Sequence, residues 1–293
     1  MSQTDRERAA ELGEVAVTVA EAAAAHVRTR RPELFGVAGE GGTHEQSDAV
    51  ATKSTPTDPV TLADTETEEL IRTLLRSHRP DDEILGEEEG GSVSVPSGVR
   101  WVIDPIDGTV NFMYGIPAYA VSVAAQIDGR SVAGAVVDVA RQITYAATLG
   151  GGAFRHGPGE SPHRLRCNDI DQVEMALVAT GFGYDAQRRR AQGQLVAQML
   201  PRVRDLRRIG AAALDLCMVA SGAVDAHIEH GLSPWDWAAG GLIAAEAGAT
   251  VILPPPDSRS ADGHPTIAVA GGVAEDFLGL LDEIGARVCL TAE

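Results

Sequence analysis

Acidic residues occur in three short clusters, and carboxylates are the side chains that hold hard divalent cations such as Mg²⁺. The first cluster consists of Glu87, Glu88 and Glu89 between two glycines, directly after a short apolar run. Alone, this segment fits a solvated acidic turn. Because a buried strand is expected to end just before it, the segment is also a candidate for carboxylates delivered to a site.

The second cluster places Asp104 and Asp107 three positions apart, behind the apolar residues 101–103. We expect a strand to end at Asp104 and Pro105 to force a turn, because its ring fixes φ. Asp107 can then point back to the same place, and the carbonyl of Ile106 stays free. One turn thus offers three oxygen ligands.

The two residues that follow, Gly108 and Thr109, complete this turn. Gly108 allows close backbone approach, and Thr109 can begin a short helix. The N–H groups of both residues would then face an anion at the start of that helix. Carboxylates beside an anion cradle are what a metal bridged to a phosphate requires.

The third cluster is Asp236, between Trp235 and Trp237. Alone, Asp236 fits a helix N-cap, and it can be both cap and ligand. Carboxylates held ~4 Å apart repel by about 4 kcal/mol at an effective dielectric of 20. A magnesium ion removes that repulsion, so the three clusters together predict a magnesium site that also binds phosphate.

Periodicity and turn residues predict the elements that must position these clusters. The first half is predicted to contain a helix over 5–30 ended by Pro32, a helix over 64–77, strands at 83–85 and 101–103, and antiparallel sheet over 119–149. The second half is predicted to alternate: a strand at 174–180, a helix over 186–200, a strand at 203–208, a helix over 210–220, a strand at 223–229 and a helix over 235–247. Two short strands and a helix over 273–285 follow.

Layered α and β elements with mixed sheets, an α/β (α+β) layered fold, follow from this order. We expect an N-terminal α+β half, 1–165, with most of the metal ligands, and a C-terminal α/β half, 166–293, that carries Asp236 and the substrate contacts. The active site would lie between them. The Gly-rich, polar segment 36–52 predicts a loop that acts as a lid over the site.

Charge and hydropathy exclude two classes of partner. The net charge of −18 repels nucleic acid and anionic membranes at long range. No apolar run approaches the ~20 residues of a membrane span, and the charged N-terminus has no apolar segment of a signal peptide behind it. We therefore expect a cytoplasmic protein that binds neither nucleic acid nor membrane.

Together these segments resemble the inositol monophosphatase family, and most closely its bacterial inositol-1-monophosphatases of the actinobacterial kind. The likeness runs from about residue 50 to 250, with order and spacing in agreement. The motifs that carry it are Lys53-Ser54-Thr55-Pro56, the run 58–64, Gly86-Glu87-Glu88, the run 101–112, the run 207–213 continuing to Glu229, and Trp235-Asp236 with Ala238-Ala239-Gly240.

The resemblance implies an αβαβα sandwich of the inositol monophosphatase and fructose-1,6-bisphosphatase type, and a homodimer. It also implies two to three magnesium ions. The first would use Glu87, Asp104 and the carbonyl of Ile106, and the second Asp104, Asp107 and Asp236. A weaker third ion would lie near Glu87, and lithium would inhibit by replacing a loosely held magnesium.

The resemblance also implies hydrolysis of inositol 1-phosphate by a metal-activated water, without a covalent phosphoenzyme. Thr109 would orient the water, and Asp64 or Glu87 would help to take its proton. One departure is Ala211, where many relatives have Ser or Thr, so a side-chain contact is missing. The residues implied in substrate binding are Gly108, Thr109, Asp107, Ala212, Glu229 and Asp236.

Related activities remain as alternatives at this stage: a fructose-1,6-bisphosphatase, a 3′-phosphoadenosine phosphatase and a histidinol-phosphate phosphatase. Asn111-Phe112 favours the inositol branch over the nucleotide branch, where Lys and Glu are more usual. A non-catalytic scaffold that keeps the metal site for stability is the alternative from another class. Phosphate release with and without magnesium distinguishes it from an enzyme.

Overall fold

The computed structural model describes residues 2–36, 50–53 and 58–291. Its helices are α1 (Gln3–Phe35), α2 (Leu62–His78), α3 (Thr109–Tyr114), α4 (Ala186–Met199), α5 (Ala212–Ala220), α6 (Pro234–Glu246) and α7 (Ala274–Glu283). Its strands are β1 (Val50–Thr52), β2 (Pro59–Thr61), β3 (Glu83–Gly86), β4 (Val99–Asp107), β5 (Ala120–Ile127), β6 (Arg130–Asp138), β7 (Ile143–Thr148), β8 (Gly152–His156), β9 (His163–Arg164), β10 (Leu177–Thr180), β11 (Asp205–Arg207), β12 (Ala226–His230), β13 (Ala249–Ile252) and β14 (Pro265–Ala270).

Two large sheets organise these elements. Strands β3 to β9 form a seven-stranded sheet in sequence order, antiparallel except for the β3–β4 pair. The second sheet has five strands in the order β11-β10-β12-β14-β13, with parallel pairing around β10 and antiparallel pairing around β14. The separate sheets lie on either side of residue 165, and the division into halves at that residue stays a prediction.

Five layers result from the way the helices cover the sheets. Helices α1 and α2 pack on the outer face of the seven-stranded sheet. Helices α5 and α6 fill the space between the two sheets. Helices α4 and α7 cover the far face of the five-stranded sheet. This order confirms the predicted αβαβα sandwich.

The central strands explain why the sequence shows apolar runs there. Along β4, Trp101 and Ile103 pack against α1 and α2, whereas Val102 points to the α5 and α6 layer. A strand that is buried on both faces needs apolar residues at every position. The acidic residues of β4 therefore stand out against an apolar background.

Helix α1 contradicts the predicted stop at Pro32, because it continues to Phe35 with the proline inside it. The guanidinium group of Arg31 donates to the carbonyls of Phe112 and Met113, which anchors this last turn to α3. This tertiary contact outweighs the local preference of proline to end a helix.

Strand β4 corrects a second prediction. The strand does not end at Asp104 but continues to Asp107, with a register shift against β5 between these two residues. Pro105 thus sits in a β-bulge rather than in a turn, because a bulge tolerates a residue without an N–H group. The bulge still brings both aspartates to one side.

The segment predicted as a lid is only partly described. Residues 37–49 lie outside the described residues, and Val50–Thr52 form β1, which pairs with β2 instead of belonging to a loop. The short strands β8 and β9 were not predicted either. Among the described helices, none has the length and hydropathy needed to cross a bilayer.

Candidate active site

A cleft of about 570 Å³ opens between the two sheets and is lined by residues from both. Every residue predicted for the site lines this cleft except Asp64, which lies behind Thr109. The fold therefore brings the predicted residues together at one cleft, although they span more than 170 positions of the chain. Which ligand each of them binds stays a prediction.

Three carboxylates form the acidic centre of the cleft. Asp104, Asp107 and Asp236 each offer an oxygen atom, and these three atoms lie within 4.8 Å of one another. Asp104 and Asp107 are buried and Asp236 is partly exposed. At 4.8 Å and an effective dielectric of 20, each charged pair repels by about 3.5 kcal/mol.

The environment of this trio disfavours three negative charges. Burial, followed by the charge of Glu87, raises the pKa values of Asp104 and Asp236 well above their usual range. Burial also raises the pKa of Asp107 to about 7, although the amides of Ala213 and Ala212 lower it. A hard divalent cation with oxygen ligands relieves this repulsion, and the donor set therefore fits such an ion.

Backbone contacts fix the first two members of the trio. The Oδ1 atom of Asp104 accepts from the N–H of Ile106 at 3.0 Å, inside the bulge of β4. The carboxylate of Asp107 accepts from the N–H groups of Ala212 and Ala213, at 3.2 and 2.7 Å, where α5 begins. Asp107 thus connects β4 of the seven-stranded sheet to the start of α5, and the N–H of Ala212 donates to this aspartate.

The turn after Asp107 requires a glycine. Gly108 has φ of +91° and precedes α3 as its N-cap. A Cβ atom there would lie 3.0 Å from the carbonyl of Ala118 and 3.1 Å from that of Gly210. Positive φ and close packing both favour glycine at this position, which allows the start of α3 to face the cleft.

Asp236 reaches the trio from the opposite side, in the first turn of α6. Its Oδ2 atom accepts from the N–H of Ser233 at 2.6 Å, so Ser233 is the N-cap and Asp236 the third helical residue. The suggestion that Asp236 is itself the N-cap is therefore wrong. The capping box leaves the other carboxylate oxygen free for the cleft.

Glu87 lies beside the trio but has a different partner. It follows β3, whose last residue Gly86 pairs with Ile103 in β4, so Glu87 is a neighbour of Asp104 across the sheet. The Nζ atom of Lys53 lies 2.8 Å from Glu87 and 2.6 Å from Glu88. Burial lowers the pKa of Lys53, but these two carboxylates raise it by more.

A second group of polar contacts lies next to the trio. The hydroxyl of Thr109 is 3.0 Å from Oδ1 of Asp64 and 3.0 Å from the carbonyl of Ile106, and it can donate to either. Asp64 is fully buried in the first turn of α2, and Thr61 donates to its other oxygen. Burial raises the pKa of Asp64 to about 6.

The carboxylate of Glu229 lines another part of the cleft, near the end of β12. Burial raises its pKa to about 7, although the charge of Arg208 lowers it. A Cβ atom at Gly181 would overlap the Glu229 carboxylate, so the side chain rests directly on the glycine backbone. Gly181 therefore creates the space that Glu229 occupies.

Sequence reasoning missed several residues of the cleft, including Gly181, Tyr184, Arg188 and Arg208. The first two belong to a Gly-Phe-Gly-Tyr segment directly after β10. Glycines at the end of a strand that is parallel to its neighbours indicate a loop near a ligand, and this signal was available. The two arginines gave no such signal, because basic residues are common on exposed helices and strands.

Comparisons with known proteins agree on one family. The sequence profile of the inositol monophosphatase family matches residues 8–285. The chain is 53% identical over 286 residues to the inositol-1-monophosphatase SuhB of Mycobacterium tuberculosis, covering 96% of each chain. It is 40% identical over 210 residues to the Nus factor SuhB of Escherichia coli, covering 71% of this chain and 77% of that protein.

Solved structures give the same result. The structure of Mycobacterium tuberculosis SuhB aligns with a TM-score of 0.80 and 47% identity, over 95% of this chain and 98% of that one. An inositol monophosphatase from Thermotoga maritima aligns with a TM-score of 0.76 and 27% identity, over 92% and 96%.

Proposed function

The chain belongs to the inositol monophosphatase family, and on this premise we propose that it is a magnesium-dependent phosphomonoesterase of inositol 1-phosphate. The products would be inositol and phosphate. The observation that carries the proposal is the trio of Asp104, Asp107 and Asp236, with oxygens within 4.8 Å, in the same cleft as Glu229. The intact set of Glu87, Asp104, Asp107, Thr109 and Asp236 along one cleft favours an enzyme over a non-catalytic scaffold.

The trio, with Glu87 and the carbonyl of Ile106, would hold two to three magnesium ions. When bound, magnesium offsets the charge of the phosphate and makes a water more acidic. Neighbouring N–H groups of Gly108 and Thr109, where α3 begins, would bind phosphate oxygens. The chain's part in the chemistry is then to place the phosphate and to remove one proton.

Thr109 and Asp64 are suited to remove that proton. The Thr109 hydroxyl can accept a hydrogen bond from the attacking water while it donates to Asp64 at 3.0 Å. A carboxylate with a pKa of about 6 is ionised at neutral pH and can still take up a proton. Glu87, which forms an ion pair with Lys53, is the other candidate base.

The leaving group would lie on the side of Glu229. This carboxylate is separated from Asp236 by the turn at Gly231 and points into the cleft, where it can accept hydrogen bonds from the hydroxyls of a polyol. The N–H of Ala212 already donates to Asp107, so Ala212 would shape this side rather than donate to the substrate. A hydroxylated leaving group is therefore favoured.

Two further properties are proposed on the resemblance alone: inhibition by lithium and assembly as a homodimer. A cytoplasmic location is proposed from the charge and hydropathy of the sequence. The negative net charge of −18 supports a small substrate rather than nucleic acid, since it repels polyanions at long range.

Replacing Glu229 by alanine tests the substrate. We expect Glu229→Ala to lower kcat/KM for inositol 1-phosphate by roughly ten- to a hundredfold, because hydrogen bonds to a charged acceptor contribute about 1.5–3 kcal/mol each. Hydrolysis of 4-nitrophenyl phosphate, which lacks those hydroxyls, should change by less than about twofold. Steady-state kinetics on both substrates measure this difference.

The matched control is Glu275→Ala, an exposed glutamate in the first turn of α7. It should leave both substrates unaffected. Equal losses on the two substrates in Glu229→Ala would show that Glu229 supports the fold or the acidic centre, and the assignment to inositol 1-phosphate would lose its structural support.

A further inference from the structure

Glu68 is a fully buried carboxylate outside the groups assigned above. It lies on α2 four residues after Asp64, so the two side chains project from the same face of the helix. Asp64 contacts Thr109, whereas Glu68 points to the turn that carries Glu87. One helix face therefore contacts both sides of the acidic centre.

The contacts of Glu68 hold this turn by its backbone. Its Oε2 atom accepts from the N–H of Glu88 at 2.8 Å, and its Oε1 atom accepts from the N–H of Glu89 at 2.9 Å. Arg72, one helical turn further on, donates to Oε1 at 2.9 Å and to the carbonyl of Gly90 at 2.8 Å. A buried ion pair thus binds one backbone group of each of three consecutive residues, Glu88 to Gly90.

These bonds restrain the direction of the Glu87 side chain. The N–H of Glu88 belongs to the peptide unit that follows Glu87, so its bond to Glu68 fixes ψ of Glu87. On the other side, Gly86 pairs with Ile103 and donates to the carbonyl of Gly90 at 2.9 Å. Gly86 and the peptide unit that follows Glu87 are therefore both held, which restrains the direction of the Glu87 Cβ atom.

The lack of a side chain at Gly86 leaves the space that the carboxylate of Glu68 occupies. A Cβ atom at Gly86 would lie 2.6 Å from Cδ of Glu68, closer than real Cβ contacts. Gly86 does not have a positive φ, so its backbone conformation does not require glycine. Glycine at this position instead allows the Glu68 carboxylate to lie close to the backbone.

We infer that Glu68 is a positioning residue that orients Glu87 for cation binding, an inference that rests on the proposed function. A ligand that is already oriented before the ion binds loses less conformational entropy on binding. Groups that orient a metal ligand in this way commonly change metal affinity by about 10- to 100-fold. Glu68 itself does not contact the cleft. Its effect would therefore be on magnesium affinity and not on the chemical step.

The test is magnesium binding by isothermal titration calorimetry to the full chain. Glu68→Gln keeps the size but offers one acceptor oxygen, and its NH₂ group then faces a backbone N–H. We expect the Kd for Mg²⁺ and the KM for Mg²⁺ to rise about tenfold, with kcat at saturating Mg²⁺ within about threefold of wild type. The control is Glu69→Gln, which makes the same charge change at an exposed position of α2 and should bind like wild type.

A second variant separates orientation from charge and from misfolding. Gly86→Ala changes no charge and keeps both Glu68 and Arg72 in the sequence, but its Cβ atom displaces the Glu68 carboxylate. It should weaken Mg²⁺ binding in the same direction, whereas Gly193→Ala, at an open position of α4, should not. Glu68→Gln and Gly86→Ala with wild-type Kd values would overturn the inference, even if both lowered the melting temperature.

Failure of the proposed function has a different signature. A wild-type protein that binds no Mg²⁺ and releases no phosphate contradicts both claims. Wild-type binding with unchanged Kd values in the two variants contradicts only the role of Glu68.

Discussion

Asp104→Asn is expected to lower phosphate release from inositol 1-phosphate by roughly a thousandfold at saturating magnesium. Asp104 is buried, lies within 4.8 Å of the other two carboxylates of the trio, and is the neighbour of Glu87 across the β3–β4 pair. It is the residue proposed to contact two ions. The cation is expected to supply several kcal/mol of charge stabilisation, and 1.36 kcal/mol corresponds to a tenfold change in rate.

Loss of folding can be distinguished from loss of the site in this variant. Burial and neighbouring charges raise the pKa of Asp104, so its ionised form is costly in the cation-free protein and a neutral side chain removes that cost. A neutral asparagine should then melt no lower than wild type without magnesium. Asp169→Asn, an exposed position, serves as the control for the chemical change. Retention of a third or more of the wild-type rate would show that Asp104 does not hold an essential ion.

Asp64→Asn is expected to lower kcat by about 10²- to 10⁴-fold, the usual effect of losing a general base. An asparagine can still accept from Thr61, so the first turn of α2 should keep its capping interaction. However, its amide cannot take up a proton from Thr109. Steady-state kinetics at saturating magnesium and substrate measure the effect. If calorimetry shows an unchanged magnesium affinity, the loss of kcat is due to proton transfer and not to metal binding.

Variants of Thr109 test the same contact from the other side. Thr109→Ser keeps the hydroxyl and should retain most of the activity, whereas Thr109→Ala should lose about as much as Asp64→Asn. If Asp64→Asn were nearly as active as wild type while Thr109→Ala was not, Glu87 would replace Asp64 as the proposed base.

The acidic residues of the site could be predicted because local pattern reveals them. Asp104 and Asp107 interrupt a mostly apolar strand, β4, in which every position is buried. Asp236 follows a Ser-Pro pair that is typical of a helix start. These local patterns depend only on residues that are neighbours in sequence. The alternation of α and β elements is also visible in the sequence, and it predicted the layered fold.

Other features depend on contacts between distant segments and had no local signal. The continuation of α1 through Pro32 depends on Arg31 reaching the carbonyls of α3, some 80 residues later. The contact of Glu68 with the backbone of Glu88 and Glu89 joins positions about 20 apart, and nothing in the α2 sequence indicates which backbone groups Glu68 binds. Gly181 and Glu229 meet only because β10 and β12 are neighbours in the second sheet.

The central claim is that the acidic trio makes this chain a magnesium-dependent phosphatase of inositol 1-phosphate. The most direct measurement is phosphate release from inositol 1-phosphate by wild-type protein stripped of divalent cations, before and after magnesium is added. We expect no release above background in the stripped protein and restoration by magnesium, with faster turnover of inositol 1-phosphate than of fructose 1,6-bisphosphate, 3′-phosphoadenosine 5′-phosphate or histidinol phosphate. Equal release with and without magnesium, or none in either state, would contradict it.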